Sequence, residues 1–439
     1  MSLSQHPKAL YGSAVLAVAF TAGVLVTLGF KDLYPDLETR FQRKVSGGVG
    51  NRSVRRQSSF FSVRFEDHDT DATEVRGIDA CIGNTPLVEI PSLSKATGRI
   101  VLAKAEFLNG AGNSPKDRVA LSIIDDAERR GLLVPGRGDT IYEGSVGSTG
   151  ISLAALARAR GYCAHVCMPD DQSVEKSDLL LHLGARVERV AVAPISSPDH
   201  FVNLARRRAR EHARLAADGS RGFFADQFES DANWRAHFTT TGPEIFAQTG
   251  GGDLDAFVAG AGTGGTISGV ARYLKLDAGL VRLRVVLADP QGSGLYNKIK
   301  HGVMYASTER EGTRRRQQVD SLVEGIGINR VTHNLEAGRD LIDDAVRVSD
   351  DQACRMARWL VEHDGVFVGS SSAVNCVAAV AVAMTLPPGS RVVTVLCDSG
   401  TRHLTKFWRR IKDMGLEDAE ATDLFAELGM PKTQPQSHV

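Results

Sequence analysis

The sequence has no excess of charge of either sign, no long internal repeat and no recognisable metal-ligand spacing. Its 52 Lys and Arg residues balance 52 Asp and Glu residues, which argues against a general nucleic-acid binder because such domains are basic overall. The 6 cysteines and 12 histidines form neither a zinc-type cysteine pattern nor an HExxH motif. We therefore expect free thiols, no metal site and no nucleic-acid partner.

Charged residues are also absent from residues 9–30. As a helix, this stretch would span about 33 Å, which is enough to cross a bilayer core of about 30 Å. A cleaved signal peptide usually has a shorter apolar stretch, and a core helix this far from the globular region would have nothing to pack against. We predict a transmembrane anchor here, with residues 1–8 as an N-terminal tail.

A basic segment follows the predicted anchor. Residues 40–64 contain seven Lys or Arg residues and no acidic residue, and we interpret residues 31–75 as a flexible basic linker. Basic flanks favour the cytosolic side of a membrane, and an acid-poor segment rich in Arg and Ser has mitochondrial targeting character. The prediction is an anchor in the mitochondrial outer membrane with the globular body facing the cytosol.

Short apolar runs alternate with helix-like stretches from about residue 76, which predicts βαβ units and a parallel sheet. The body should extend over 76–412, with a smaller lobe at about 105–230 and a larger lobe formed by 76–104 and 231–412. Residues 413–439 form an acidic tail. The predicted strands lie in five runs, at 99–107, 162–169, 254–262, 282–290 and 391–397, and the clearest helices lie at 116–131 and 150–161.

Glycine is abundant, with 44 residues in the chain, and one cluster follows a strand pattern and precedes a helix pattern. Gly260, Gly262 and Gly265 satisfy GxGxxG, and Asp289 follows near the end of the next strand. Alone, this pattern is typical of dinucleotide binding. The pattern is not specific for dinucleotides, because backbone N–H groups at a helix start can hold any phosphate.

Three further segments bear on which phosphate ligand binds. Lys116 lies in the first turn of a predicted helix, where the helix dipole favours its neutral, nucleophilic form. Residues 143–156 and 367–380 are two more turns of small residues that open helices. Together they suit a phosphate-bearing cofactor, a carboxylate-bearing substrate and a Schiff-base lysine, whereas a dehydrogenase would not need the lysine.

Eight motifs, taken in their order along the chain, resemble those of one known family. They are IGNTPLVEI (82–90), AEFLNGAGNSPKDRVA (105–120), EGSVGSTG (143–150), MPDDQSVEKSDLLLHLGARV (168–187), DQF (226–228) with HFTTTGPEI (237–245), GTGGTISG (262–269), EGIGINR (324–330) and GSSSA (369–373). In these residues the chain resembles the cysteine synthase and cystathionine β-synthase family of fold type II pyridoxal-phosphate enzymes. Within that family it is most like the fungal, membrane-anchored mitochondrial type. The resemblance covers about 76–412.

The resemblance implies an α/β class, with two lobes of twisted, mostly parallel sheets covered by helices, in addition to the predicted N-terminal transmembrane helix. It also implies a homodimer and pyridoxal 5'-phosphate as cofactor. Lys116 would be the catalytic residue that holds the cofactor covalently and moves the substrate α-proton. The implied cofactor-binding residues are Lys116, Ser148, Gly262, Thr263, Gly264, Gly265, Thr266 and Ser371, and the implied substrate-binding residues are Ser145, Thr149 and Gln227.

The implied reaction converts O-acetyl-L-serine and sulfide to L-cysteine and acetate. A cystathionine β-synthase, a serine or threonine lyase, and a non-catalytic cofactor-binding relative remain alternatives, as does a nucleotide-dependent oxidoreductase using the 256–274 turn. Two residues depart from the family pattern. Val146 replaces a serine, and Ser148 replaces an asparagine that bonds the ring hydroxyl of the cofactor. The serine side chain is shorter, so three outcomes stay open for that bond: direct, bridged by water, or lost.

Overall fold

The computed structural model describes residues 77–305, 321–417 and 421–432. The predicted anchor at 9–30 and the basic linker up to residue 75 lie outside the described residues. In the part of the chain that the structure describes, no helix is both long and apolar enough to cross a bilayer.

The described ranges contain ten strands and fourteen α-helices, together with short 3-10 and π-helical segments. The strands are β1 (Leu87–Glu89), β2 (Ile100–Ala105), β3 (Thr140–Gly144), β4 (Cys163–Pro169), β5 (Arg186–Val190), β6 (Gly222–Phe224), β7 (Ala256–Gly260), β8 (Arg284–Pro290), β9 (Asp344–Val348) and β10 (Arg391–Leu396). The helices are α1 (Pro91–Thr97), α2 (Lys116–Arg129), α3 (Ser148–Ala159), α4 (Val174–His182), α5 (Phe201–Leu215), α6 (Asp231–Ala236), α7 (Gly242–Gln248), α8 (Gly265–Ala271), α9 (Leu295–His301), α10 (His333–Glu336), α11 (Asp350–Asp364), α12 (Ser370–Ala383), α13 (Arg409–Asp413) and α14 (Leu424–Leu428). All five predicted strand runs and both predicted helices are confirmed, with bounds that differ by a few residues.

The strands form two sheets. The larger has the order β1-β2-β10-β7-β8-β9 and the smaller has the order β5-β4-β3-β6. Every pairing is parallel except that of β1 with β2. The predicted α/β class with mostly parallel sheets is therefore confirmed.

The larger sheet is buried on both faces, which explains why its central strands are continuous apolar runs. In β8, for example, Val285, Val286, Leu287 and Ala288 are all fully buried. Helix α12 packs against this sheet and is buried on nearly all sides. Its Ser, Ala and Val side chains are small enough to allow such close packing.

The smaller sheet also has helices on both faces. On β4, Ala164, Val166 and Met168 face the apolar cluster that contains α2 and α3, whereas Cys167 packs against α5. This division follows from the two-residue period of a strand. The two sheets place the starts of α2, α3, α8 and α12 around one cavity.

A buried network of charged side chains fixes the start of α2. Arg118 donates from Nε to Glu106 at 2.8 Å and from Nη1 to Glu244 at 2.6 Å. Lys104 Nζ lies 2.6 Å from the other oxygen of Glu244. Burial opposes the charge of Glu106, but the guanidinium of Arg118 holds its pKa below the ordinary value. These residues come from β2, the 3-10 turn that follows it, α2 and α7, so the network sets the position of Lys116, two residues before Arg118.

Candidate active site

A cavity of about 210 Å³ is lined by ten of the eleven residues that the sequence proposes for the site. These ten are Lys116, Ser145, Ser148, Thr149, Gln227, Gly262, Thr263, Gly264, Thr266 and Ser371. Gly265 is buried behind the cavity wall against the side chain of Asn233. Residues separated by more than 250 positions in the sequence therefore converge on one space.

Lys116 is the first residue of α2, as the sequence predicts. Pro115 precedes it with a φ of −61°, which suits a helix start because proline fixes this angle and needs no hydrogen-bond acceptor. Burial lowers the pKa of Lys116, and the nearby Cys397 and Asp398 offset this only in part. The cavity therefore favours the neutral amine, which is the form that can act as a nucleophile or accept a proton.

The loop from Gly262 to Thr266 connects β7 to α8. A Cβ at position 262 would lie 2.5 Å from the carbonyl oxygen of Gly325, and one at position 264 would lie 2.6 Å from Leu335 Cα. Gly264 also has a φ of +81°, which other residues rarely adopt. Only glycine fits both positions, and the loop thus brings its backbone N–H groups to the cavity at the start of a helix.

Side chains from α6 and its π-helical continuation, His237–Thr241, hold the two threonines of this loop. Asn233 donates to Thr263 Oγ1 at 3.0 Å, and His237 Nε2 lies 3.2 Å from Thr266 Oγ1. Burial holds the pKa of His237 well below its ordinary value. A neutral imidazole can orient the Thr266 hydroxyl without adding a charge.

The loop Ser145–Thr149 leads from β3 into α3 and faces the same cavity. Thr149 Oγ1 donates to Gln227 Oε1 at 2.5 Å, and Gln227 Nε2 donates to the carbonyl of Gly144 at 3.2 Å. Ser145 Oγ accepts from the backbone N–H groups of Gly147 and Gly150, each at 3.1 Å. The loop is therefore held in shape by its own polar groups.

Glu143 supports this loop from below. It is fully buried, and its carboxyl oxygens accept from the backbone N–H groups of Gly144 at 2.8 Å and Gln227 at 3.1 Å. Burial raises the pKa of Glu143 to about 8 despite these bonds. The side chain is largely neutral at pH 7 and adds little negative charge beneath a loop that faces the cavity.

Ser371 lies in the first turn of α12 and is buried. Its neighbour across the cavity wall is Cys397, whose thiol it hydrogen-bonds. Asn375, one turn further on, accepts from the backbone N–H of Gly260 at 2.8 Å. Helix α12 therefore presents a hydroxyl, rather than a carboxylate, to the cavity.

Four charged residues of the cavity wall were not singled out from the sequence. Lys176 Nζ lies 2.5 Å from Glu324 Oε2, which lies 3.4 Å from Nδ1 of His403. His403 Nε2 lies 3.0 Å from Asp398. We call Lys176, Glu324, His403 and Asp398 the charged quartet.

The quartet carries strong electrostatic coupling. Burial opposes the charge of Glu324, but the bond from His403 and the charge of Lys176 hold its pKa at about 2. Burial also opposes the charge of His403, yet Asp398 and Glu324 raise its pKa to about 9. Lys176 and Glu324 lie inside motifs quoted above, Asp398 lies just after β10, and His403 follows the short 3-10 turn Gly400–Arg402 that comes next. Asp398 and His403 could have been found from the sequence, because they follow the end of a buried parallel strand, where ligand sites concentrate.

The residues fit a pyridoxal-phosphate group. A glycine loop at a helix start can hold a phosphate, a lysine with a lowered pKa lies in the same cavity, and the two flanking loops offer hydroxyl and amide groups. Such a combination is what a phosphate-bearing carbonyl cofactor requires.

Comparisons with known proteins agree with this chemistry. A family described as "Pyridoxal-phosphate dependent enzyme" matches residues 78–398, and the chain therefore belongs to this family. The cofactor predicted from the sequence is thereby confirmed as pyridoxal phosphate.

Among its relatives are fungal cysteine synthases. Cysteine synthase 2 of Neurospora crassa is 69% identical over 98% of this chain and 99% of its own length. A Saccharomyces cerevisiae protein, provisionally named a mitochondrial cysteine synthase, is 55% identical over 77% of this chain and 85% of its own length. The crystal structure of an O-ureido-L-serine synthase superposes with a TM-score of 0.66 at 31% identity and covers 80% of this chain and 98% of that one. The predicted family resemblance is confirmed.

Proposed function

We propose that the chain is a cysteine synthase that converts O-acetyl-L-serine and sulfide to L-cysteine and acetate. In this replacement the bond from the substrate β-carbon to the ester oxygen breaks, and a bond from that carbon to sulfur forms. The observation that carries the proposal is the convergence of Lys116, the 262–266 loop and the Ser145–Thr149 loop on one cavity. Identity of 69% to a cysteine synthase over 98% of the chain supports it.

Lys116 would hold the cofactor and move the α-proton of the substrate. The cofactor, when bound, supplies an electron sink for the charge that develops at the substrate α-carbon. The contribution of the chain is a lysine at the first position of α2 whose burial favours the neutral amine. A neutral amine can accept the α-proton directly, so one residue serves both tasks.

The cofactor would be held by backbone and hydroxyl groups. Gly262, Thr263, Gly264, Gly265 and Thr266 would bind its phosphate, because their loop opens α8 and approaches the cavity closely. Ser371 would face the ring nitrogen. A hydroxyl leaves that nitrogen neutral, which favours elimination and replacement at the β-carbon over transamination. Ser148 would meet the ring hydroxyl from the start of α3.

The substrate carboxylate would be bound by Ser145, Thr149 and Gln227. All three side chains are buried and line the cavity. The Thr149 hydroxyl now donates to Gln227, and rotation about its Cα–Cβ bond would let it donate to a carboxylate instead. Backbone N–H groups at the start of α3 add further donors.

The experiment uses the purified full chain. We expect a visible absorbance band from the bound cofactor, which disappears in Lys116→Ala together with product formation. O-acetylserine should shift the band, and sulfide should restore it with release of cysteine. A band that responds to serine and an aminothiol but not to O-acetylserine and sulfide would favour cystathionine synthesis. A band that no amino acid shifts would indicate a non-catalytic relative, and absence of any band would refute the proposal.

We further propose that residues 9–30 anchor the protein in the mitochondrial outer membrane with the body in the cytosol. Support comes from the uncharged length of that stretch and the basic residues at 40–64, together with the mitochondrial name of the Saccharomyces cerevisiae relative. Residues 1–64 fused to a fluorescent reporter should label mitochondria, and protease added outside intact mitochondria should remove the reporter. A diffuse or endoplasmic-reticulum signal would contradict this address.

The same proposal includes a homodimer of bodies, following the family. Light scattering of the purified protein at several concentrations should give twice the chain mass of 47.2 kDa. A concentration-independent monomer mass would contradict it.

A further inference from the structure

Three metal-ligating side chains converge on the smaller sheet, away from the cavity. His165 and Cys167 are two residues apart on β4 and so point to the same face of the sheet. Glu188 lies directly opposite Cys167 on the neighbouring strand β5. No local spacing in the sequence reveals this cluster, because its third member comes from a different strand.

The donor atoms are close enough to share one ion. His165 Nε2 lies 3.3 Å from Glu188 Oε2, and Cys167 Sγ lies 4.0 Å from the same oxygen. One donor atom of each residue lies within 4.8 Å of the others. Zinc bonds of about 2.0–2.3 Å at tetrahedral angles place donor atoms about 3.3–3.7 Å apart. Small side-chain rotations would therefore close the site.

A neighbouring arginine orients the carboxylate. Arg208, on α5, donates from Nη2 to Glu188 Oε1 at 2.8 Å and from Nε to Oε2 at 3.1 Å. The first bond can persist while Oε2 turns to an ion, and such a hydrogen bond to a ligating carboxylate is usual around metals in proteins. The thiol side is apolar, since Cys167 packs against Leu204 and Ala205.

An open groove reaches two of the three side chains, whereas Cys167 is fully buried and does not line it. His165 and Glu188 line it, together with Tyr142, Arg208 and His212. Its volume of about 980 Å³ leaves room for an ion to enter and for a water molecule to complete the coordination. A site with three protein ligands and one water is a common zinc arrangement.

We propose that His165, Cys167 and Glu188 form a zinc site, with water as the fourth ligand. A thiolate, an imidazole and a carboxylate together suit Zn²⁺ better than the harder ions Mg²⁺ or Ca²⁺. For these residues the proposal differs from the expectation drawn from the sequence, which was that the chain binds no metal. The site lies close to the proposed substrate loop, because the backbone carbonyl of Cys167 accepts from the N–H of Ser145 at 3.0 Å.

The test uses metal binding and not catalysis. Full-length, cofactor-loaded protein is stripped of metal and dialysed against Zn²⁺, and bound zinc is measured by elemental analysis. We expect one ion per chain, with at least about tenfold weaker binding in Cys167→Ser and in Glu188→Gln, since each loses a ligand. Co²⁺ titration should give a thiolate-to-metal charge-transfer band that is absent in Cys167→Ser.

The matched control is Cys163→Ser. Cys163 lies on the same strand and face, but it is exposed and outside the cluster. It should keep both the zinc stoichiometry and the cobalt band. Circular dichroism and cofactor content identify variants that fold. If folded Cys167→Ser binds zinc as tightly as wild type, or if wild type binds none, the zinc site is refuted.

Discussion

Replacement of Glu324 by glutamine should destabilise the fold by about 3 kcal/mol at neutral pH. Glu324 connects Lys176 on α4, beside the smaller sheet, to His403 after β10 of the larger sheet. The side chains of Lys176 and Glu324 are only 7% and 9% exposed. Glutamine keeps the size of the side chain and removes its charge, which leaves the buried ammonium of Lys176 without a counter-ion.

Two routes lead to the same magnitude. The pKa of Glu324 falls from its ordinary value to about 2, and each pKa unit corresponds to about 1.4 kcal/mol, so the shift corresponds to about 3 kcal/mol. Independently, removing one partner of a buried ion pair typically costs about 3–5 kcal/mol. We therefore expect a loss of about 3 kcal/mol.

The assay is urea-induced unfolding at fixed concentrations of protein and cofactor, followed by fluorescence. Glu336→Gln is the matched control, because Glu336 pairs with Arg339 at 2.9 Å but is 49% exposed. Such surface pairs contribute about 1 kcal/mol or less. If Glu324→Gln loses no more than Glu336→Gln, the charged quartet does not stabilise the fold and the reasoning fails.

The same measurement has a defined pH dependence. Because the folded pKa of Glu324 is depressed, its contribution to stability should be complete above about pH 4.5 and disappear as the pH falls towards 2. The folded pKa of His403 is raised to about 9, so its contribution should be complete below about pH 6.5 and disappear as the pH rises through 9. A difference between wild type and Glu324→Gln that stays constant from pH 7 to pH 3 would contradict this assignment.

Two other substitutions test the loops of the site. Thr149→Val should raise KM for O-acetylserine about 10- to 100-fold while cofactor absorbance is retained. The reason is that a hydrogen bond to a charged carboxylate is worth about 1.5–3 kcal/mol, and the bond to Gln227 is also lost. An unchanged KM would show that Thr149 does not bind the substrate. Gly264→Ala should lower the free energy of unfolding by about 2–5 kcal/mol, because its Cβ would contact Leu335. It should also lower the affinity for pyridoxal phosphate, measured by absorbance titration. Gly279 has a similar φ of +74° but open space around it. Gly279→Ala should therefore lose only the stability that the positive φ costs an alanine, and equal losses in the two variants would refute the steric argument.

Features encoded within one short segment could be predicted from the sequence. The five strand runs were visible because buried parallel strands have no polar alternation. Lys116 could be placed at a helix start because the small and turn-forming residues 110–115 precede an amphipathic run. The 262–266 loop was recognisable because close backbone approach requires glycine. Each of these signals depends only on neighbours along the chain.

The remaining features depend on residues that are distant in sequence. Strands β1 and β6 have three residues each, and β5 is only partly buried, so none has a pronounced apolar pattern. The charged quartet combines positions 176, 324, 398 and 403, and its perturbed pKa values arise only once burial brings these groups together.

In the smaller sheet, the register of the strands decides which side chains come together. The alternation of β4 separates His165 and Cys167 from Val166, and pairing with β5 then adds Glu188. A shift of that pairing by one residue would turn Glu188 to the opposite face, and the cluster would lose its third ligand. Local sequence thus encodes where the backbone must approach a ligand, whereas register and long-range packing decide which ionisable groups meet there. It follows that substitutions that alter the pairing of β4 with β5 should abolish zinc binding even when all three ligands are kept.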